Sequence, residues 1–228
     1  MKNNITCKNC GAETPFYLLT CKSCNAYIRD KVSNINLWEI IWKLIETPVE
    51  AFRLIIFAEH KNFTSTLLIF TSVKFALLAT ILANFTRASS LGFDSDFLFL
   101  SYAASLIAVP LLSVISALLN KTFGLNSGIK DSLAINIYAL FPLAVALIVF
   151  APIEYALFGS HWFTFNPAPY QIKPTISYFF YGLEGAMILW SLFLFIAGNY
   201  AQSKNILFAI LTGATTFVLY FSVLSLFL

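Results

Sequence analysis

Five apolar runs, each about as long as a lipid bilayer is thick, decide most of what this chain can fold into. They lie near residues 64–85, 97–119, 133–158, 176–198 and 206–228. A helix needs roughly 20 apolar residues to cross about 30 Å of hydrocarbon, and each run supplies them. Only 11% of the chain is charged and 59% is hydrophobic, whereas soluble domains carry about 25% charged residues. The expectation is an all-α polytopic membrane protein with a five-span domain over 64–228. The third run is overlong and holds Pro142 and Pro152, so it should be kinked; the second holds Pro110.

A different chemistry occupies the N-terminus. Cys7, Cys10, Cys21 and Cys24 form two Cys-x-x-Cys pairs separated by ten residues, and the remaining chain has no cysteine. Two such pairs can place four thiolates around one tetrahedral zinc. A segment of about 25 residues buries too little surface to fold alone, so metal binding would have to supply the folding energy. Gly11 and Asn25 follow the two pairs directly, where a tight thiolate turn asks for positive φ. Lys8 and Lys22 sit inside the pairs and offset the excess thiolate charge. Residues 1–31 are therefore read as a zinc ribbon binding one zinc per chain. Iron in the same cage and two disulfides are the alternatives. Residues 1–31 hold five basic side chains against two acidic ones, too mild an excess to point to nucleic acid. Tyr17 and Tyr27 are read as packing on the metal turns rather than stacking on bases.

Residues 32–63 join the two parts as an amphipathic juxtamembrane linker. Leu37, Ile40, Ile41, Leu44 and Ile45 recur at helical spacing, with Trp38 and Trp42 one turn apart. Glu39, Lys43, Glu46, Glu50 and Arg53 supply the polar side, and Pro48 should split the segment into two helices. Tryptophan and charge beside a first span suggest helices lying in the headgroup layer; a soluble helical hairpin is the alternative.

Basic residues set the orientation. The polar N-terminus lacks the apolar stretch of a signal peptide, so a later span is expected to direct insertion. With the N-terminus cytosolic, eleven of the fourteen basic residues fall inside and two, Arg87 and Lys173, outside; Lys74 lies within a span. The expected location is the cytoplasmic (inner) membrane, C-terminus outside. A cytosolic ribbon sits in reducing conditions, which favours a metal over disulfides. In the outer loop 159–175, Trp162, Phe163, Phe165 and Tyr170 suit a membrane–water interface.

Three short features resemble the Yip (Ypt-interacting-protein) family. Thr47 to Ile55, T-P-V-E-A-F-R-L-I, resembles the proline-then-phenylalanine segment before that family's first span. F-G-L-N-S-G-I-K-D-S-L resembles its glycine-containing inner loop, and Tyr138 with Pro142 resembles its tyrosine-x-x-x-proline entry to span three. The resemblance covers about residues 37–228 and implies a helical membrane domain. Eukaryotic members act in vesicle trafficking and bind small GTPases. Their tyrosine-glycine-proline segment has no counterpart here, so GTPase binding is not implied.

Catalytic motifs of the zinc-protease, serine-hydrolase and nucleotide-binding types are absent, and His60 and His161 are expected on opposite sides of the membrane. Lys74, Glu154 and Glu184 fall inside spans, where ionisable groups are costly and mark function by default. Counting 1.5 Å per residue, Lys74 and Glu184 sit at similar depth and Glu154 nearer the outer end. A structural ion pair between spans one and four is one reading; a proton or ion pathway is the other. The function expected is a non-enzymatic membrane scaffold or adaptor, its partners being lipid and a protein at the ribbon, with oligomeric state open. A small transporter or channel using Lys74, Glu154 and Glu184 is the alternative.

Overall fold

The computed structural model describes residues 4–29, 32–86, 94–123, 125 and 128–225. Lys2, Asp30, Lys31 and Arg87 lie outside these residues. So do Gly124, Asn126 and Ser127 of the inner loop and the last three residues of the fifth apolar run.

The chain begins with a small hairpin. Strands β1 (Asn4–Thr6) and β2 (Glu13–Pro15) pair antiparallel, Asn4 opposite Pro15, and flank the first cysteine turn. Strand β3 (Val32–Asn34) pairs in parallel with β4 (Ala58–His60), tying the end of the ribbon to the chain just before the first long helix.

Between β3 and β4 lie two helices, α1 (Leu37–Glu46) and α2 (Pro48–Phe57). Pro48 has no N–H to give to an i−4 carbonyl, so the first helix stops at Glu46 and the proline opens the second at its first position. Helix α1 buries Ile40 and Leu44 and leaves Trp38, Trp42 and Ile45 exposed. Helix α2 is not a surface element: Ala51, Phe52 and Ile55 are fully buried against the helices Ile129–Ala139 and Pro174–Ser203. Each such large side chain contributes about 1.5–3 kcal/mol of burial.

Among the described residues, four helical stretches are long and apolar enough to cross a membrane: Thr64–Thr86 (α3), Ser95–Thr122 (α4), Phe141–Phe158 and Pro174–Ser203 (α10). The third apolar run is the irregular one. Helix α5 (Ile129–Ala139) ends before Leu140, and α6 (Phe141–Val145) starts with Pro142 in its first turn. A π-helical turn (Ala146–Phe150) then precedes α7 (Ala151–Phe158), which carries Pro152. Both prolines remove a helical donor, and the backbone adjusts by a break at the first and a π turn before the second. Helix α11 (Ile206–Ser225) follows, capped by the Asn205 side chain, which accepts the Phe208 N–H at 3.0 Å. Over Ile206–Ser222 it is an apolar helix.

Two glycines let the helices approach closely. A Cβ on Gly198 of α10 would stand within contact of Ile135 of α5 and the Phe52 ring of α2. One on Gly213 of α11 would meet the Ile196 backbone of α10 at 2.8 Å. Small residues at crossings replace the hydrophobic effect as the source of packing between helices in lipid.

The connections sort to two ends. At one, Lys61 ion-pairs with Asp131 at 2.8 Å, Asn120 donates to Gln202 at 3.3 Å, and Lys204 lies 5.7 Å from the ring centroid of Phe16 in the ribbon. At the other, Asn84 donates to the Phe163 carbonyl at 3.2 Å and the Phe85 and Phe165 rings meet at 5.7 Å. Two short helices, α8 (His161–Thr164) and α9 (Pro169–Ile172), form this second end.

Candidate metal centre and its docking on the helical bundle

The two cysteine turns are built alike. The Gly11 N–H donates to the Cys7 carbonyl and the Asn25 N–H to the Cys21 carbonyl, at 2.9 and 3.0 Å. The Cys7 N–H donates to Ala12 O and the Cys21 N–H to Ala26 O, both at 2.9 Å. Gly11 and Asn25 take φ of 73° and 56°, the region open at least cost to glycine and asparagine.

These turns aim four sulfurs at one point. Cys7 Sγ and Cys24 Sγ are 3.7 Å apart, Cys10 Sγ and Cys21 Sγ 3.6 Å, and all four lie within 4.8 Å of one another. These gaps are too long for disulfide bonds, and all four cysteines are free. A tetrahedron with metal–sulfur bonds of about 2.3 Å has edges of about 3.8 Å. The four thiols can therefore hold a metal ion.

Cys21 is the innermost ligand, with no exposed surface. The Thr14 hydroxyl lies 3.5 Å from its sulfur and the Ser23 N–H donates to it at 3.4 Å. The Thr14 hydroxyl first, then the Cys24 and Ser23 N–H groups, pull its thiol down to about 6. A thiolate near neutral pH is what a metal requires.

The ribbon is seated on the bundle rather than hanging from it. Phe16 is buried and meets the Phe57 ring of α2 edge to face, centroids 6.0 Å apart. The Arg29 guanidinium covers the same Phe57 ring at 4.4 Å and donates to the Tyr17 carbonyl at 2.9 Å. Below this seat Lys61 closes the C-terminus of α2. Its ammonium donates to the carbonyls of Ile55, Ile56 and Ala58 and pairs with Asp131. Tyr138, fully buried, donates to the Asn62 carbonyl at 2.7 Å. Helix α5 thus holds the segment that carries the ribbon. Tyr27 (75% exposed) points away from all of this, and so do Trp38 and Trp42.

The second group of sequence-derived residues lies within the bundle. Lys74 of α3 ion-pairs with Glu184 of α10. Glu154 of α7 is fully buried beside Glu184 and within electrostatic reach of Lys74. Depth counting along straight spans sets Glu154 apart from that pair, yet all three gather. The reason is the fold-back of α8, which places Trp162 beside Glu154 and covers the outer end of α7. Trp162 and Phe163 are accordingly buried, not displayed at an interface, while Tyr170 remains exposed. No periodic pattern of residues marks this inward turn, nor the roles of Lys61 and Tyr181. The tight Gly159–Ser160 turn before Trp162 is the one local hint. His60 and His161 lie at opposite ends, His161 Nδ1 bonded to the Asn166 carbonyl at 2.8 Å.

Comparison with protein-family models, curated proteins and solved structures gave no match.

Proposed function

We propose that this chain is a non-enzymatic integral membrane adaptor of the Yip-like type, whose cytosolic zinc ribbon makes the protein contacts. One observation carries the reading: a four-thiol module is clamped onto one end of an apolar helical bundle, with Tyr27 left facing outward. A module built for catalysis would line a cleft with reactive groups; a seated ribbon with an exposed tyrosine suits binding.

Zinc is the metal of choice, because two equivalent Cys-x-x-Cys turns make a closed four-thiolate site of the structural kind. Helix α11 is read as the fifth span, since a C-terminal apolar helix packed along α10 has no water-facing role. Helix α1 is read as interfacial, with Trp38, Trp42 and Ile45 entering the headgroup layer. The basic-residue bias supports a cytosolic N-terminus in a bacterial inner membrane and an outer C-terminus.

Affinity purification from native membranes, with the unmodified chain and with Cys10→Ser, tests the proposal. The expected result is a stoichiometric protein partner with the former, lost with the latter while the chain stays in the membrane. Partner recovery indifferent to the substitution rejects the adaptor role. A small transporter or channel is the second reading, favoured by the gathering of Lys74, Glu154 and Glu184. Its mark is solute flux in proteoliposomes that the unmodified chain supports and carboxylate variants do not.

A further inference from the structure

Three ionisable side chains meet inside the bundle, and their charges do not balance. Lys74 contributes one ammonium; Glu184 and Glu154 contribute two carboxyls. Lys74 is 2% exposed and Glu154 has no exposed surface. The Lys74 ammonium is committed to Glu184 Oε1. Glu184 Oε2 and both oxygens of Glu154 are buried and make no well-formed hydrogen bond among the described residues, although Glu184 and the Trp162 indole stand close to Glu154.

The groups facing Glu154 can be named element by element. Helix α3 presents Lys74, α10 presents Glu184 and the Tyr181 hydroxyl, and α8 presents the Trp162 indole. The Tyr181 hydroxyl also lacks a partner. Among the described residues, Lys74 is the only cation acting on Glu154, and it is already paired with Glu184. An unpaired charge in a dry site is strongly disfavoured, the more so beside another carboxylate.

We propose that Glu154 and Glu184, beside Lys74, form a proton-binding site that holds one exchangeable proton between the two carboxyls. With the proton bound the three side chains sum to zero charge, and the carboxyl O–H can satisfy one orphaned acceptor. On release, one glutamic acid gives H⁺ to water and becomes a carboxylate, and the cluster goes to a net charge of minus one. Trp162, stacked on Tyr181 with ring centroids 5.1 Å apart, caps the site toward the α8 end. This site does not depend on the adaptor reading; a proton bound and released here is a switch that either an adaptor or a transporter can use.

Infrared difference spectroscopy on the full chain in lipid vesicles reads it directly. At neutral pH a protonated carboxyl stretch is expected, and it shifts in deuterium oxide. Labelling the glutamate carbons of the unmodified chain with ¹³C also shifts it, a measurement that needs no variant. Glu154→Gln loses the band, and Glu154→Asp moves it. Lys74→Met gains a second protonated carboxyl, because the remaining cation is gone. Absence of a protonated carboxyl in the unmodified chain overturns the proposal, as does its persistence in Glu154→Gln.

Discussion

The ring of Phe16, in the ribbon, meets the ring of Phe57, the last residue of α2, edge to face with centroids 6.0 Å apart. Arg29 covers the same Phe57 ring at 4.4 Å, and Lys204 approaches Phe16 from the α10–α11 connection. One aromatic contact therefore gathers the ribbon, the juxtamembrane helices and the far end of α10. The ribbon is small, so this contact is a large share of what fixes its position.

Phe57→Ala is expected to loosen the ribbon without unfolding the bundle. An edge-to-face pair contributes about 1 kcal/mol beyond burial, and the ring's burial and the Arg29 contact go with it, so the detached population rises by at least about five-fold. Amide exchange in β2 should quicken while α3 and α10 stay protected; unchanged exchange in β2 would show that the seat lies elsewhere.

Removing the metal should act on the ribbon alone. About 25 residues with few apolar groups cannot hold the β1–β2 hairpin unaided. Elemental analysis of the purified chain is expected to find one zinc, and a strong chelator should abolish amide protection in residues 4–29 only. Cys21→Ser should be the most damaging single ligand loss, because Cys21 is fully buried and receives the Thr14 and Ser23 contacts.

Lys61 has a predictable pH signature. Burial lowers its ammonium below the ordinary lysine range, with Asp131 pulling the other way. The folded chain thus holds this proton less tightly than the unfolded chain. Stability from this group accordingly rises with pH in the alkaline window between the two values. Lys61→Arg stays charged throughout and should lose that slope in thermal unfolding of the detergent-solubilised protein. Lys61→Met should cost on the order of 3 kcal/mol, since it strands Asp131 and the α2 carbonyls. Asp131→Asn should cost less, because the ammonium keeps its carbonyl partners.

The linkage of Lys74 to Glu184 can be measured by a double-mutant cycle. Breaking a buried pair from one side costs about 3–5 kcal/mol. Lys74→Leu and Glu184→Leu should each destabilise the purified protein, and the double variant should recover much of the loss. Additive losses would mean that the two side chains do not act on each other.

What the sequence made legible was local. Pro48 splits α1 from α2 because a proline lacks the N–H that would continue the helix. Gly11 and Asn25 mark the two cysteine turns through φ. The long apolar helices follow from hydropathy, four of them at full length. What the sequence hid was set by contacts between distant residues. Helix α2 has a surface-like pattern, yet Phe52 is fully buried because α5 and α10 pack over it, Gly198 of α10 leaving room for Ile135 of α5. Trp162 looks interfacial by composition and turns inward to Phe158 and Tyr181. Glu154 joins Lys74 and Glu184 because the chain folds back over it, which depth counting along straight helices cannot register.

The most direct test of the adaptor account is photo-crosslinking in native membranes from position 27, where Tyr27 stands outward on the ribbon at 75% exposure. The account predicts one discrete protein adduct from this position, lost when Cys21→Ser empties the metal centre. No adduct, or an adduct pattern that Cys21→Ser leaves unchanged, would contradict it.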